Sequence, residues 1–175
     1  LQVARLADVQ HLALAHEVVE GAHVIVADLD GAAAESVASS INGEPWQVDL
    51  SDVAALATID LTADILVNNA AHDQRHDWKD VTPEYWDERM AVNLRHMFFA
   101  IQTVAPDMLS QKSGSIINFS STSFKLKMGA MPAYTTAKSA IHGLTKSFQM
   151  EFGKSGVRIN TVYPGWVMTK RQKEL

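Results

Sequence analysis

Short apolar, β-branched runs alternate along this chain with stretches of helical character, and that alternation restricts the fold more than any other feature. The runs are His23-Val24-Ile25-Val26-Ala27-Asp28, Trp46-Gln47-Val48-Asp49-Leu50, residues 64–71, residues 115–120 and residues 156–165. Near-continuous apolar strands are buried on both faces, which requires helices on both sides of a parallel sheet. The segments between them read as helices: 32–41, 53–61, a long one from Thr82 toward Pro106, and another after Pro132. Thr82 is an N-cap and Pro83 suits the first helical position. Strands that alternate with helices predict an α/β fold, a doubly wound parallel sheet of Rossmann type. Residues 12–19 add a further amphipathic helix ended by Gly21.

At 175 residues the chain is long enough for one domain, 1–175, with a real core. A net charge of -5 argues against nucleic acid as a main partner. There is no apolar run of about 18 residues and no signal-peptide pattern, so a cytoplasmic protein with no membrane partner is expected. The lack of cysteine excludes disulfides, thiol catalysis and cysteine metal sites. His72 and His76 stand four apart, as in helical zinc sites, but they follow a strand end and have no obvious third ligand. A solvated loop at the rim of the site is the better reading, and no metal is expected.

The chemistry converges on residues 120–138. Ser121 follows the strand 115–120, at the end where open parallel sheets place ligands. Tyr134 and Lys138 lie four apart on one face of the helix after Pro132. A free tyrosine titrates near ~10 and is a poor base at neutral pH, and an ammonium one turn away favours the phenolate. Tyr134 could then exchange a proton with a substrate oxygen that Ser121 positions. A hydroxyl that loses its proton can also lose a hydride, which no protein side chain accepts, so a nicotinamide cofactor is implied. A surface helix with a half-buried tyrosine and a solvated lysine is the alternative for this pair taken alone. Asp28, an acid closing a strand, suits the ribose hydroxyls of a dinucleotide and would repel a 2'-phosphate, favouring NAD over NADP; it equally suits a helix cap.

With these residues in place the chain resembles the short-chain dehydrogenase/reductase family. The family's Ser, Tyr-x-x-x-Lys and Asn match Ser121, Tyr134, Lys138 and Asn93. The resemblance implies that Asn93 bends its helix and holds a water linking the lysine to solvent; an ordinary interfacial Asn is the alternative. Asn68-Asn69-Ala70-Ala71 is similar to the family's Asn-Asn-Ala-Gly, whose small residues let the backbone lie close to the cofactor. Asp49, beside Leu50, resembles the acid that contacts the adenine amine, and equally an N-cap. Pro164, Gly165, Val167 and Thr169 fall in the segment that resembles the one beside the nicotinamide carboxamide. Residues 68–97 and 165–172 resemble bacterial sugar dehydrogenases of this family, which oxidise an aldose to a lactone. The expected function is therefore hydride transfer between NAD and a sugar or other secondary alcohol. The alternatives are a carbonyl reductase for small ketones and a non-catalytic binding protein on the same fold. Met97, Phe98, Leu144 and Phe148 suggest a homodimer or homotetramer through the helices near 83–109 and 132–154.

Two departures from the family pattern stand out. Its N-terminal glycine turn would fall on residues 3–10, where Ala4, Asp8 and Gln10 occupy the glycine positions. Side chains there, and the charge of Asp8, would weaken binding of a pyrophosphate. The chain also begins at Leu1 and stops at Leu175. The expectation is an incomplete domain that lacks its first and last strands.

Overall fold

The computed structural model describes residues 2–4, 21–57 and 62–167. The strands are β1 (Gln2–Ala4), β2 (Val24–Asp28), β3 (Glu44–Gln47), β4 (Ile65–Asn68), β5 (Gly114–Phe119) and β6 (Val157–Val162). The helices are α1 (Gly31–Ser40), α2 (Val53–Ala57), α3 (Pro83–Met90), α4 (His96–Gln111) and α5 (Pro132–Phe152). One π-helical turn, Ala91–Arg95, joins α3 to α4. The strands form one parallel sheet in the order β3-β2-β1-β4-β5-β6. This is the doubly wound order, whose direction reverses between β1 and β4.

The burial of β2 shows why the sheet needs both layers. All five of its residues are buried. Val24 and Val26 pack with Ala34, Val37, Ala38 and Ile41 on the α1 side. Ile25 and Ala27 belong to the opposite core, with Ile101, Val104, Ala105 and Met108 of α4. Burying each such aliphatic side chain is worth about 1.5–3 kcal/mol, so the two faces fix the strand's register. Thr82 caps α3 through its hydroxyl, which accepts from the Tyr85 N–H at 3.2 Å, and Pro83 opens the helix. At the turn into β6, Gly156 has φ +78°, and a Cβ there would meet the Lys112 carbonyl oxygen at 2.5 Å. Only glycine combines that left-handed backbone with so close an approach. Among the described residues no helix is long and apolar enough to cross a membrane.

Three sequence expectations need correction. The first strand is present: Gln2–Ala4 sits mid-sheet, with Ala4 level with Val26 and Val67. Without it β2 and β4 would each leave a row of backbone N–H and C=O groups unpaired, and three residues suffice to bridge them. Ala4 is thus a strand residue, not the start of a turn; Asp8 and Gln10 lie outside the described residues. Strand β3 ends at Gln47, so Asp49 and Leu50 follow it rather than complete it. Met97 is fully buried, because it heads the core stripe of Ile101, Val104, Ala105 and Met108. Phe98, one residue on, is 39% exposed.

Candidate active site

At the carboxyl end of β5 the chain turns sharply through Ser120 to Ser123, and the helix α5 packs behind it. The Ser120 hydroxyl donates to the Lys138 carbonyl at 2.6 Å, and the Lys138 ammonium donates to the Phe119 carbonyl at 2.8 Å. These two bonds fasten the strand end to the first turns of α5. They place Ser121 on the loop and Tyr134 on the helix at the wall of one cavity. Asp73, Arg75, Gly165, Trp166 and Val167 line the same cavity. The Ser121 oxygen accepts from the Ser123 N–H at 3.1 Å. Its own proton is therefore left to point elsewhere, toward the cavity and Tyr134.

Electrostatics here differ from the expectation drawn from spacing. Burial is the largest influence on Tyr134 and pushes its pKa above the ordinary value near 10; the Ser121 hydroxyl and Arg75 favour the phenolate, while Asp73 opposes it. Lys138 does not win this balance. Its nitrogen is 5.8 Å from the Tyr134 ring, and burial pulls its own pKa down to about 7. An ammonium that is itself only half-charged near neutrality is a weak stabiliser of its neighbour. The Tyr134–Lys138 pair is in place, but on its own it does not lower the tyrosine.

Asn93 lies in the π-helical turn and is fully buried. Its side-chain oxygen accepts from the His72 N–H at 2.8 Å, and its amide donates to the His72 carbonyl at 3.2 Å and the Arg89 carbonyl at 2.9 Å. The extra residue of a π turn frees backbone carbonyls and swings the side chain toward the strand ends. Asn93 thereby clamps the loop after β4 against α3. His76 holds the same loop to the catalytic-side helix: its N–H donates to the Ala130 carbonyl at 2.8 Å, and Nε2 accepts from the Ala133 N–H at 3.4 Å. Neither His72 nor His76 joins a metal cluster, and among the described residues no group of three His, Cys, Asp or Glu could hold an ion.

A buried polar row supports the site and escaped the sequence reading. Asn68 donates to Asn118 at 2.9 Å, Asn118 donates to Thr145 at 3.0 Å, and Thr161 donates to Thr145 at 2.8 Å. Asn68, Asn118 and Thr161 are level with one another on β4, β5 and β6. Adjacent asparagines near two strand ends were the available signal. Their meeting, however, depends on register.

The residues expected to hold a dinucleotide lie along the same carboxyl edge. Asp28 closes β2, and its register through Ala4 to Val67 puts it level with Asn69. Ala70 is buried and Ala71 half-buried. Asp49 closes its own turn, accepting from the N–H and hydroxyl of Ser51 at 2.8 and 2.7 Å; α2 begins at Val53, where Asp52 accepts from the Ala54 N–H at 3.0 Å, so Asp49 is not the helix's N-cap. The Asp28 carboxylate accepts from the Asp30 N–H at 3.0 Å, while Asp30 itself caps α1. Leu50 packs against the main core. Pro164 is tied down by Thr122, whose N–H and hydroxyl both donate to its carbonyl at 3.1 Å. Thr169 lies outside the described residues. The donor set fits the cofactor: an acid for ribose hydroxyls at one end, small residues at the switch point, and at the other a buried ammonium with one of three N–H donors engaged.

Lys138 also leaves a mark on stability. Its pKa is lower in the folded state, about 7 against 10.5, so between those values the unfolded chain binds more protons and stability rises with pH. Each pH unit in the window is worth about 1.4 kcal/mol. Lys138→Met removes this term. Denaturation at pH 7 and pH 9 should show the parent gaining on the variant by about 1–3 kcal/mol. Parallel pH dependence of the two proteins would contradict a neutralised, buried lysine.

Comparison with known proteins agrees with this geometry. Residues 12–175 match the short chain dehydrogenase family. A probable galactose dehydrogenase of Rhizobium meliloti is 44% identical over 169 residues, covering 89% of this chain and 66% of that protein. A D-xylose 1-dehydrogenase of Caulobacter vibrioides is 39% identical over 163 residues, with the same coverage of each. The chain thus spans 66% of the length of these curated relatives. Among solved structures, a metagenomic short-chain oxidoreductase in complex with NADP superposes with a TM-score of 0.84 at 29% identity, over 95% of this chain and 81% of that one. A fold with strand order 3-2-1-4-5-6, a serine loop facing a Tyr-x-x-x-Lys helix and a family match across nearly its whole length make this chain a member of the short chain dehydrogenase family.

Proposed function

We propose that the protein transfers a hydride between NAD and a sugar, converting an aldose to its lactone, or another secondary alcohol to its ketone. The observation that carries this reading is the convergence of Ser121 and Tyr134 on one cavity, with Lys138 buried behind them. The names of the relatives, a probable galactose dehydrogenase and a D-xylose 1-dehydrogenase, support a sugar substrate.

A bound oxidised dinucleotide would supply the hydride acceptor and a positive charge. The chain does the rest. Asp28 and Lys138 would hold the cofactor's ribose hydroxyls. Ser121, whose hydroxyl bonds Tyr134 in the protein alone, donates its O–H to the substrate oxygen and sets its distance from Tyr134. Tyr134, as phenolate, takes the hydroxyl proton on its Oη while the C–H electron pair leaves as hydride. Burial holds that phenolate scarce in the protein alone. A positive charge brought close to Tyr134 would favour its phenolate. Asn93 keeps the loop after β4 out of the space between them and sustains the route by which the proton leaves.

Self-association through α4 and α5 is part of the same proposal. Phe98 is partly exposed and packs on Phe148 across the two helices, 5.7 Å between ring centres. A two-fold pairing would cover that patch in both copies.

Two experiments test the proposal. Tyr134→Phe, in a protein that oxidises an aldose, should lower kcat by about 10²–10⁴-fold while leaving thermal stability near the parent's. A variant with near-parent kcat would remove Tyr134 from the chemistry. For cofactor choice, the Asp28 carboxylate should disfavour a 2'-phosphate, so the parent should prefer NAD and Asp28→Ala should narrow the preference. Tighter binding of NADP than NAD by the parent would overturn it.

A further inference from the structure

Helix α5 carries Tyr134 in its first turn, and that turn has no cap of its own. The helix opens at Pro132, which has no N–H, and Met131 before it makes no side-chain hydrogen bond to the turn. The first N–H groups of a helix find no partner within it. The Ala133 N–H is such a group, and Ala133 is fully buried, so water cannot serve it. Its partner comes from another part of the chain: Nε2 of His76, 3.4 Å away, on the loop after β4. An N-cap Ser or Asp side chain normally takes that place.

The surroundings hold the imidazole in this role. A backbone N–H can be met only by a bare ring nitrogen, so the proton of neutral His76 sits on Nδ1. That nitrogen lies 2.9 Å from the Tyr85 hydroxyl and 3.0 Å from the Gln74 carbonyl, and both oxygens can accept from it. The Tyr85 ring meets the imidazole edge-on, 5.0 Å between centres. The His76 backbone N–H donates to the Ala130 carbonyl at 2.8 Å, just before α5 opens. His76 thereby joins Tyr85 of α3, the loop that brings Asp73 and Arg75 to the cavity wall, and the helix turn that brings Tyr134 there. Lys138, one turn further along, is held separately through Ser120 and Phe119.

We propose that His76 is a positioning residue: its ring caps α5 from outside the helix and so fixes where Tyr134 stands relative to Ser121. This rests on the oxidoreductase reading given above and adds to it what sets the position of the tyrosine. Without the acceptor, the buried Ala133 N–H can be satisfied only if the first turn shifts, and Tyr134 moves with it. A small displacement of a reacting group costs far more in rate than in binding. Dinucleotide binding is spared, because the anchors of Lys138 do not involve His76.

The test compares kcat and KM, with NAD and D-galactose or D-xylose, in the parent, His76→Ala and His76→Gln. Glutamine keeps an acceptor oxygen within reach of the Ala133 N–H, and alanine does not. His76→Ala should lower kcat about 10-fold with KM for NAD near the parent's, and His76→Gln should recover most of the loss. Assays well below each variant's unfolding temperature keep rate apart from folding. If His76→Ala unfolds earlier but keeps a parent-like kcat while folded, His76 is a structural residue only and the proposal is overturned. Equal losses in the alanine and glutamine variants would overturn it as well, since the acceptor would not be what matters. If the parent oxidises no aldose and no secondary alcohol with NAD, the oxidoreductase reading falls and this inference falls with it.

Discussion

The arrangement of this site depends on a buried cation. Lys138 is 1% exposed, with its ammonium against the carbonyl that ends β5. A lysine can occupy such a place only by surrendering much of its charge or by meeting an opposite one, and here burial brings its pKa down to about 7. The strand end, the Ser120–Ser123 turn and the first turns of α5 are all drawn together around it. A stability-optimised fold would put an apolar side chain there. The retained lysine therefore marks the point where the structure carries a cost on behalf of its site.

The same cost explains why spacing misled on electrostatics. Tyr134 and Lys138 at i and i+4 predict a lowered tyrosine, and the geometry does bring them together. The inference fails because both groups are taken out of water at once. Desolvation acts on each separately, whereas their mutual attraction requires both to be charged. The proposed remedy is a bound cofactor, whose ribose hydroxyls would engage the free N–H donors of Lys138 and whose ring would add positive charge beside Tyr134.

Most of the fold could be read from the residues, for a physical reason. Val24–Asp28 is buried on both faces, and Ile65–Asn68 is buried or partly buried at every position, so both show as largely apolar runs. Thr82 and Pro83 announce α3, and Asn93 announces the bend that is a π turn. What could not be read was relational. Gln2–Ala4 is too short to declare itself, and it is a strand because β2 and β4 need something between them. The Asn68–Asn118–Thr145–Thr161 row exists only once three strands take their register. Met97 was legible and misread, since its spacing from Ile101 and Met108 already placed it in the core.

The proposed chemistry turns on Tyr134, which burial holds above the ordinary tyrosine value in the protein alone and which a bound nicotinamide ring would bring down. Its most direct test is the ionisation of Tyr134 itself, read as the ultraviolet difference between the parent and Tyr134→Phe across alkaline pH, with and without NAD. The account predicts that Tyr134 titrates above the ordinary tyrosine value of about 10 in the protein alone and below it when NAD is bound. A Tyr134 already titrating below that value in the protein alone, or unmoved by NAD, would contradict it.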